Sequence, residues 1–486
     1  MGDKSVSTIS LKALVEKRSN KVIFIESDND FVDVLFSFLT IPMGTIIRLA
    51  CTRSVPLEIG CMKNLYARVE HADARVFPTE SCREMLLCPR NGVESHCENL
   101  KLKITNGNPT QYFLCSNDCT HRYKLFSHYK DVLCECGKPM DREMSLSVGK
   151  LKSSSFSDDG VFCKGLSGYI VSDDLEVMPP LSSPVSSFLT KVGVMDATTT
   201  EEMTFNVGVD EVLNLLICSF VSKTPLTDIL LKHKPEPKLS SEGVQQGIGF
   251  KRQTTGDTVK EEKKISVNLL VSKSKKMVCY AEAREDFVNL LLSFLTVPLG
   301  LVLKEMQDSS SSTKGCIDQL YKSVQDLDEE YLKSNYHKEI LIAPKLYPGF
   351  GYENHLLGIE DGQEALYYYA RYFRHDTLLE IFTNDKTLTP SNYRVPLKLK
   401  YCKSLGDYKS EAGFLSRPAM FTITDSLMIR PISPLFGVSV LNELKVPFAD
   451  IEMQTVQVGK EEALRLLVTS FLCDSALTSV FLSHIK

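Results

Sequence analysis

Two close pairs of cysteines are the residues of this chain best suited to binding a metal. Cys115 and Cys119 form the first pair, and Cys134 and Cys136 form the second, with 14 residues between the pairs. In a zinc ribbon, two turns each present two thiolates to one tetrahedral Zn²⁺ ion. Gly137 follows the second pair, and a residue that tolerates positive φ helps the chain turn around a metal. We therefore predict a structural zinc site at these four cysteines.

The spacing departs from that of the usual ribbon, in which two residues separate the cysteines of each pair. Here three residues separate the first pair and one residue separates the second. Other nearby side chains could serve as ligands instead, namely His121, His128, Cys82, Cys88 and Cys97. The alternative to a metal site is a set of reduced cysteines that pack as small apolar residues.

Composition bears on the choice between metal and disulfides. The chain has 15 cysteines, and its first 20 residues lack the apolar run of a secretory signal, so a reducing compartment is expected. In that setting, clustered cysteines more often bind metal than form disulfides.

The longest apolar runs are too short to span a bilayer. With 43% hydrophobic and 24% charged residues, the composition is that of a soluble globular protein, expected in the cytoplasm or nucleus.

Nucleic acid is not the expected partner. The formal net charge is −5, and the basic residues near the cysteines alternate with acidic ones, so the local field is weak. A second stretch, residues 367–375 with the sequence YYYARYFRH, interleaves aromatic rings with arginines and could stack on bases or bind a partner. The simpler interpretation, which we favour, is a β-strand with aromatic residues in the core and basic residues in solvent.

Signatures of catalysis are missing from the sequence. There is no GxxxxGK[ST] phosphate loop and no HExxH zinc motif. Residues 165–168 are one residue short of a nucleophile elbow. Asp30 recurs as Asp286 in a second copy of the same segment, which we interpret as helix N-capping by both carboxylates. We predict no catalytic and no cofactor-binding residues.

The elements that must position these residues are encoded twice. Residues 9–44 align without a gap on residues 265–300, and residues 208–227 match residues 459–478. The identical pairs include Val22/Val278, Glu26/Glu282, Asp30/Asp286, Phe31/Phe287, Leu35/Leu291, Phe38/Phe294, Pro42/Pro298 and Gly44/Gly300. A repeat this long indicates a duplicated domain. The position that matches Cys115 is Ala370, so the metal site is expected in the first half alone.

Each copy opens with the same predicted plan. In the first, residues 9–17 and 21–27 form a hairpin, and Asp30 caps an apolar helix over 31–40 that ends before Pro42. A strand at 203–208 and a helix at 211–221, followed by the segment 226–231, close the half, with twins at 453–459, 462–472 and 477–482. Four further strands are predicted at 85–89, 340–344, 169–175 and 421–427.

The chain also resembles a known family. Residues 10–15 (SLKALV) and 30–45 (DFVDVLFSFLTIPMGT) resemble the opening signature of a plant family catalogued as domain of unknown function 674. The segments SDDL at 172–175 and TDSL at 424–427 are similar to a later phrase of that family. The resemblance implies a plant origin and brings no activity with it.

These observations predict an α+β fold of two tandem homologous domains, each with a mixed sheet and apolar packed helices, and a zinc-ribbon-like insertion in the first. The domains are 1–233, with the cysteine-rich segment at about 110–140, and 265–486, joined by a flexible linker at 234–264. Each domain is expected to have its own core. The expected function is non-catalytic binding or scaffolding of a protein partner, with a structural zinc ion. The alternatives are an enzyme with a pocket between the repeats and a nucleic-acid-binding protein that uses the ribbon.

Overall fold

The chain folds into a mixed α and β protein with several sheets. A computed structural model describes residues 7–53, 57–73, 76–104, 110–117, 124–147, 160–165, 168–180, 182–191, 197–232, 263–309, 311, 313–351, 355–375, 377–402, 413–415 and 419–482. Cys119 and most of the predicted linker 234–264 lie outside these residues. None of the helices in the described part of the chain has the length and apolar character needed to cross a bilayer.

The described strands form four sheets. In chain order they are β1 (Ile9–Glu16), β2 (Lys21–Ser27), β3 (Tyr112–Leu114), β4 (Lys124–Ser127), β5 (Val132–Leu133), β6 (Pro139–Met140), β7 (Arg142–Met144), β8 (Tyr169–Ser172), β9 (Val177–Met178), β10 (Thr200–Val207), β11 (Ile265–Ser272), β12 (Met277–Arg284), β13 (Tyr367–Arg374), β14 (Thr377–Thr383), β15 (Arg394–Leu399), β16 (Met420–Thr424), β17 (Ile429–Pro431) and β18 (Ile451–Val458).

The helices pack around and between the sheets. They are α1 (Asn29–Ser37), α2 (Met43–Cys51), α3 (Met62–Glu70), α4 (Glu80–Leu87), α5 (Glu94–Cys97), α6 (Ser182–Lys191), α7 (Val209–Cys218), α8 (Pro225–Leu230), α9 (Glu285–Ser293), α10 (Leu299–Asp308), α11 (Ile317–Asp326), α12 (Asn335–Ile342), α13 (Pro434–Glu443), α14 (Lys460–Leu472) and α15 (Ala476–Phe481). Short 3-10 helices cover Phe38–Thr40, Ala197–Thr199, Phe294–Thr296, Lys386–Leu388 and Phe448–Asp450.

Two five-stranded antiparallel sheets have the same strand order. The first runs β10-β1-β2-β8-β9, and the second runs β18-β11-β12-β16-β17. The hairpin predicted at residues 9–17 and 21–27 is present as β1 and β2, and the strand predicted at 169–175 is present as β8. The corresponding strands of the second half, β11, β12 and β16, pair in the same way.

A third sheet of six strands joins the two halves. Its order is β14-β13-β15-β4-β3-β7, and β15 pairs with β4 in parallel, with Leu397 opposite Lys124. The first three strands belong to the second half and the last three to the first half. The strand predicted at residues 367–375 is β13, where Tyr369 is buried and Arg371 is exposed, although Phe373 is 73% exposed.

Helix α1 is apolar nearly all round and lies inside the protein. Every residue from Phe31 to Ser37 is buried, as the sequence predicts. The prediction that Asp30 caps this helix is wrong. Asp28 is the N-cap and its Oδ1 accepts from the amide of Phe31, because the helix starts at Asn29 and puts Asp30 in the first turn. Asp286 likewise lies in the first turn of α9 rather than at its cap.

Two predicted strands are helices in the structure. Residues 85–89 fall in and just after α4, and residues 340–344 fall in and just after α12. The Thr79 hydroxyl caps α4 by accepting from the amide of Cys82 at 3.2 Å. Cys82, Met85 and Leu86 are buried at helical spacing, a period that a five-residue apolar run is too short to show.

The halves interlock along matching segments of the repeat. Pro42 forms an isolated bridge with Pro298, the residue it aligns with. The Met43 amide donates to Val297 O at 3.0 Å, and the Leu299 amide donates to Ile41 O at 3.0 Å. Close approach here requires glycine, since a Cβ at Gly44 would lie 3.1 Å from the Leu295 carbonyl oxygen and one at Gly300 would lie 3.0 Å from that of Leu39.

A second pair of backbone hydrogen bonds links the two halves in the same reciprocal way. The Cys61 amide donates to Cys473 O at 3.1 Å, and the Cys316 amide donates to Ser219 O at 2.8 Å, so each half docks a Gly-Cys turn on the last long helix of the other. Buried apolar side chains of both halves consequently form one continuous cluster. The expectation of a separate core in each half is not met, while the domain bounds themselves stay a prediction.

Candidate functional site

The elements around the third sheet bring three of the four predicted cysteines together. Cys115 directly follows β3, and Cys134 and Cys136 lie in the turn that joins β5 to β6. That turn is closed by a bond from the Cys134 amide to Lys138 O at 2.9 Å and by one from the Gly137 amide to Cys134 O at 2.9 Å. Gly137 has φ +78°, the left-handed conformation that favours glycine.

The three sulfurs are close enough to share one ion. Their Sγ atoms all lie within 4.8 Å of one another, and those of Cys115 and Cys136 are 3.5 Å apart. Sulfurs bound tetrahedrally to one zinc ion at about 2.3 Å lie about 3.8 Å apart. Cys115 and Cys134 are buried and Cys136 is exposed. The soft thiolate donors and their separations therefore fit Zn²⁺, while Cys119 lies outside the described residues.

The other candidate ligands that the structure describes do not join this group. Cys82 donates through its thiol to Cys402 O at 3.1 Å, and Cys88 and Cys97 also lie apart from the cluster. His128 is buried, its Nδ1 lies 3.2 Å from a backbone carbonyl oxygen, and burial lowers its pKa well below the ordinary value. His121 is outside the described residues.

A second site is a cleft between the halves, where the alternative enzyme hypothesis places a pocket, although the sequence did not identify its residues. Its volume is about 280 Å³. The first half contributes Asp30 and Asp33 of α1 together with His96 and Lys101, and the second half contributes residues at the start of α12. We call it the interhalf cleft.

Asp33 forms the base of one wall of the cleft and is nearly fully buried. Its carboxylate accepts from the amides of Val161, Phe162 and Cys163, the last two at 2.9 and 2.8 Å. Burial nevertheless raises the pKa of Asp33 to about 6, against the lowering effect of the three amides. A Cβ at Gly160 would lie 2.1 Å from the Asp33 carboxylate, so the segment can approach the helix only with glycine there.

The aligned residue of the second half is Asn289. Its Oδ1 accepts from the amides of Phe414 and Leu415 at 2.8 and 3.2 Å, so both copies use a buried polar side chain to hold a backbone segment. A polar residue at the same place in two otherwise apolar helices was the signal in the sequence. Because Asp33 and Asn289 differ in type, this position does not stand out among the identical pairs of the repeat.

Comparison with known proteins gives a family and nothing more specific. The model of the family described as "Protein of unknown function (DUF674)" matches residues 5–461, and the chain belongs to that family. No curated protein and no solved structure matches the chain.

Proposed function

We propose that this family member is a non-catalytic binding or scaffold protein whose first half holds a structural zinc ion through Cys115, Cys119, Cys134 and Cys136. The observation that carries the proposal is the convergence of three sulfurs from two separate segments, the end of β3 and the turn between β5 and β6. A zinc ion bound by four protein thiolates, with no open coordination position, is typical of a structural rather than a catalytic site. Cys119 is the fourth ligand in this proposal because only three residues separate it from Cys115 in the sequence.

The ion would stabilise the third sheet. β3, which precedes Cys115, pairs with β4, and β4 pairs in parallel with β15 of the other half. Metal binding energy at a structural site is folding energy, so the ion would stabilise the sheet that both halves build.

The far edge of this sheet supports a binding role. Phe373 on β13 and Leu378 on β14 are 73% and 40% exposed, and Tyr393 is 54% exposed and stacked on Tyr372 with ring centroids 5.5 Å apart. Exposed apolar and aromatic side chains grouped at a sheet edge are typical of protein-binding surfaces. A protein partner is therefore the expected ligand of this edge.

The proposal includes a tandem duplication followed by divergence. The aligned segments, the shared strand order of the two five-stranded sheets and the reciprocal contacts at Pro42 and Pro298 support it. Ala370, which aligns with Cys115, is buried in β13, so the cysteine ligands belong to the first copy.

Elemental analysis of the full chain tests the metal. About one zinc per chain is expected, with loss of the metal and a lower melting temperature after Cys134→Ser, because removing one of four ligands weakens a structural site. Cys51→Ser is the matched control, since Cys51 is an exposed cysteine outside the cluster. A zinc-free wild type purified without chelators, or equal zinc in both variants, would contradict the proposal.

A further inference from the structure

In the interhalf cleft, the acidic side chains already have partners, whereas one lysine has no acidic partner among the described residues. Asp30 is paired with Lys101 at 2.7 Å, and the Asp33 carboxylate is surrounded by three backbone amides. Both acidic groups are thus already engaged. On the wall from the second half, Lys333 Nζ lies 3.1 Å from Gly160 O, and no carboxylate of the described residues is within ion-pair distance of it. Lys333 is therefore the cation of the cleft that can still take a charged partner.

Two imidazoles accompany this ammonium. The rings of His96 and His337 come from opposite halves and meet edge to face with centroids 5.8 Å apart. His337 Nδ1 lies 2.8 Å from Ser334 Oγ, which leaves Nε2 as its remaining hydrogen-bonding atom. Burial and the charge of Lys333 lower the pKa of both histidines, and His96 further lowers that of His337. The positive charge that opposes protonation here would attract an anion.

The second half offers an internal comparison. Around its corresponding helix, α9, the structure has a cleft of only about 10 Å³ whose lining is mostly apolar and includes Phe77, Val288 and Leu415. Cys82, which aligns with His337, is fully buried. Among the described residues, the ammonium and the two imidazoles of the interhalf cleft thus have no counterpart in the lining of the cleft at α9.

We propose that the interhalf cleft binds a small oxyanion, either a phosphate monoester or a dicarboxylate, between Lys333, His96 and His337. An ammonium and two imidazoles supply charge-assisted hydrogen bonds to such a group. A cleft of about 280 Å³ is at the small end for ligand sites, which suits a compact ligand. The proposal is independent of the zinc ion, and it places a ligand at the boundary between the repeats.

Calorimetric titration of the full chain with inorganic phosphate, and separately with malonate, tests the proposal. Saturable binding at one site is expected for at least one probe, and the tighter of the two identifies the ligand class. Lys333→Gln should weaken binding about tenfold or more, because it removes the charge, while Lys333→Arg should retain most of the affinity. Lys345→Gln is the matched control, since Lys345 pairs with Glu360 and does not line the cleft.

The coupling between anion binding and protonation of the two histidines gives a second measurement. A bound anion favours the charged imidazoles, so NMR titration should show the pKa of His96 and His337 rising with phosphate or malonate. The affinity for malonate, which is mostly a dianion over this range, should fall from pH 6 to pH 8. Ionisation of Asp33, whose pKa burial raises to about 6, places negative charge beside the cleft as pH rises and acts in the same direction. Loss of saturable binding for both probes, or unchanged affinity in Lys333→Gln, would overturn the proposal. If Lys333→Gln does not fold, His337→Gln decides by the same criterion.

Discussion

Asp33 and Asn289 show at the scale of single residues how two copies of one fold diverge. Both side chains are buried in apolar helices, and both accept from the backbone of a segment far along the chain. Only Asp33 can ionise, and burial raises its pKa from 3.8 to about 6. The folded state thus holds this proton more tightly than the unfolded state, and ionising Asp33 costs stability.

Asp33→Asn should make the protein less sensitive to pH. The wild type is expected to lose stability as pH rises from about 4 to about 6 and to level off above, because the unfolded carboxyl ionises first. The variant should lose this pH-dependent destabilisation, about 3 kcal/mol, and be as stable as the wild type or more so at pH 7. Urea unfolding at pH 4 to 7 measures it.

The reciprocal change, Asn289→Asp, is the control for Asp33→Asn. It places a carboxylate in the same setting in the second half and should add a pH dependence of the same sign. An Asp33→Asn variant with an unaltered pH profile would mean that Asp33 does not titrate in this range.

Other residue roles were only partly visible in the sequence. The segments SDDL and TDSL end the strands predicted at residues 169–175 and 421–427. The structure shows why an aspartate recurs there, since Asp173 receives the amide and hydroxyl of Thr227 at 2.9 and 2.7 Å and Asp425 receives those of Thr478 at 2.8 and 2.6 Å. Partners 54 and 53 residues apart leave no local pattern, so the aspartates could be placed but not assigned a role.

At the scale of elements, the two aspartates near the start of α1 should have different effects. Asp28→Ala is expected to cost about 1 kcal/mol, because it removes the side chain that accepts the Phe31 amide. Asp30→Ala should cost less, since it removes only a partly exposed ion pair with Lys101. Thermal unfolding of both variants measures the difference. Arg284→Ala, at the position aligned with Asp28, has no side-chain cap to lose and serves as control. A larger loss for Asp30→Ala than for Asp28→Ala would contradict the observed cap.

Elements with long or repeated patterns were predicted well, and short ones were not. The β1–β2 hairpin, α1 and the closing strand and helix of each half lie within a few residues of their predicted bounds. α4 and α12 were predicted as strands, because an apolar run of five residues does not show a helical period and the N-cap residues, Thr79 and Ser334, lie upstream of those runs. Three of the four cysteines were found from local spacing, whereas the interhalf cleft needs segments from both halves of the chain.

For the whole molecule, we predict that neither half is stable alone. Residues 1–232 and 263–486 expressed separately should aggregate, because each would expose the apolar surface that the other covers in the common cluster. Co-expression should give a soluble complex, since the reciprocal contacts at Pro42 and Pro298 do not require a covalent connection. Size-exclusion chromatography distinguishes these outcomes. Cooperative unfolding of either half by itself would show that the shared cluster is dispensable.

Because β15 lies far downstream of β4 in the chain, β4 is synthesised long before the strand that pairs with it in parallel. Leu397 pairs with Lys124, so the ribosome must add about 270 residues after β4 before its neighbour exists. At about 5–20 residues per second, that takes roughly 14–55 s. Over that interval the edge of β4 has unpaired amides and carbonyls, the kind of surface that recruits other strands. The nascent chain is therefore a candidate client for chaperones that shield strand edges, and slower translation would lengthen its exposure.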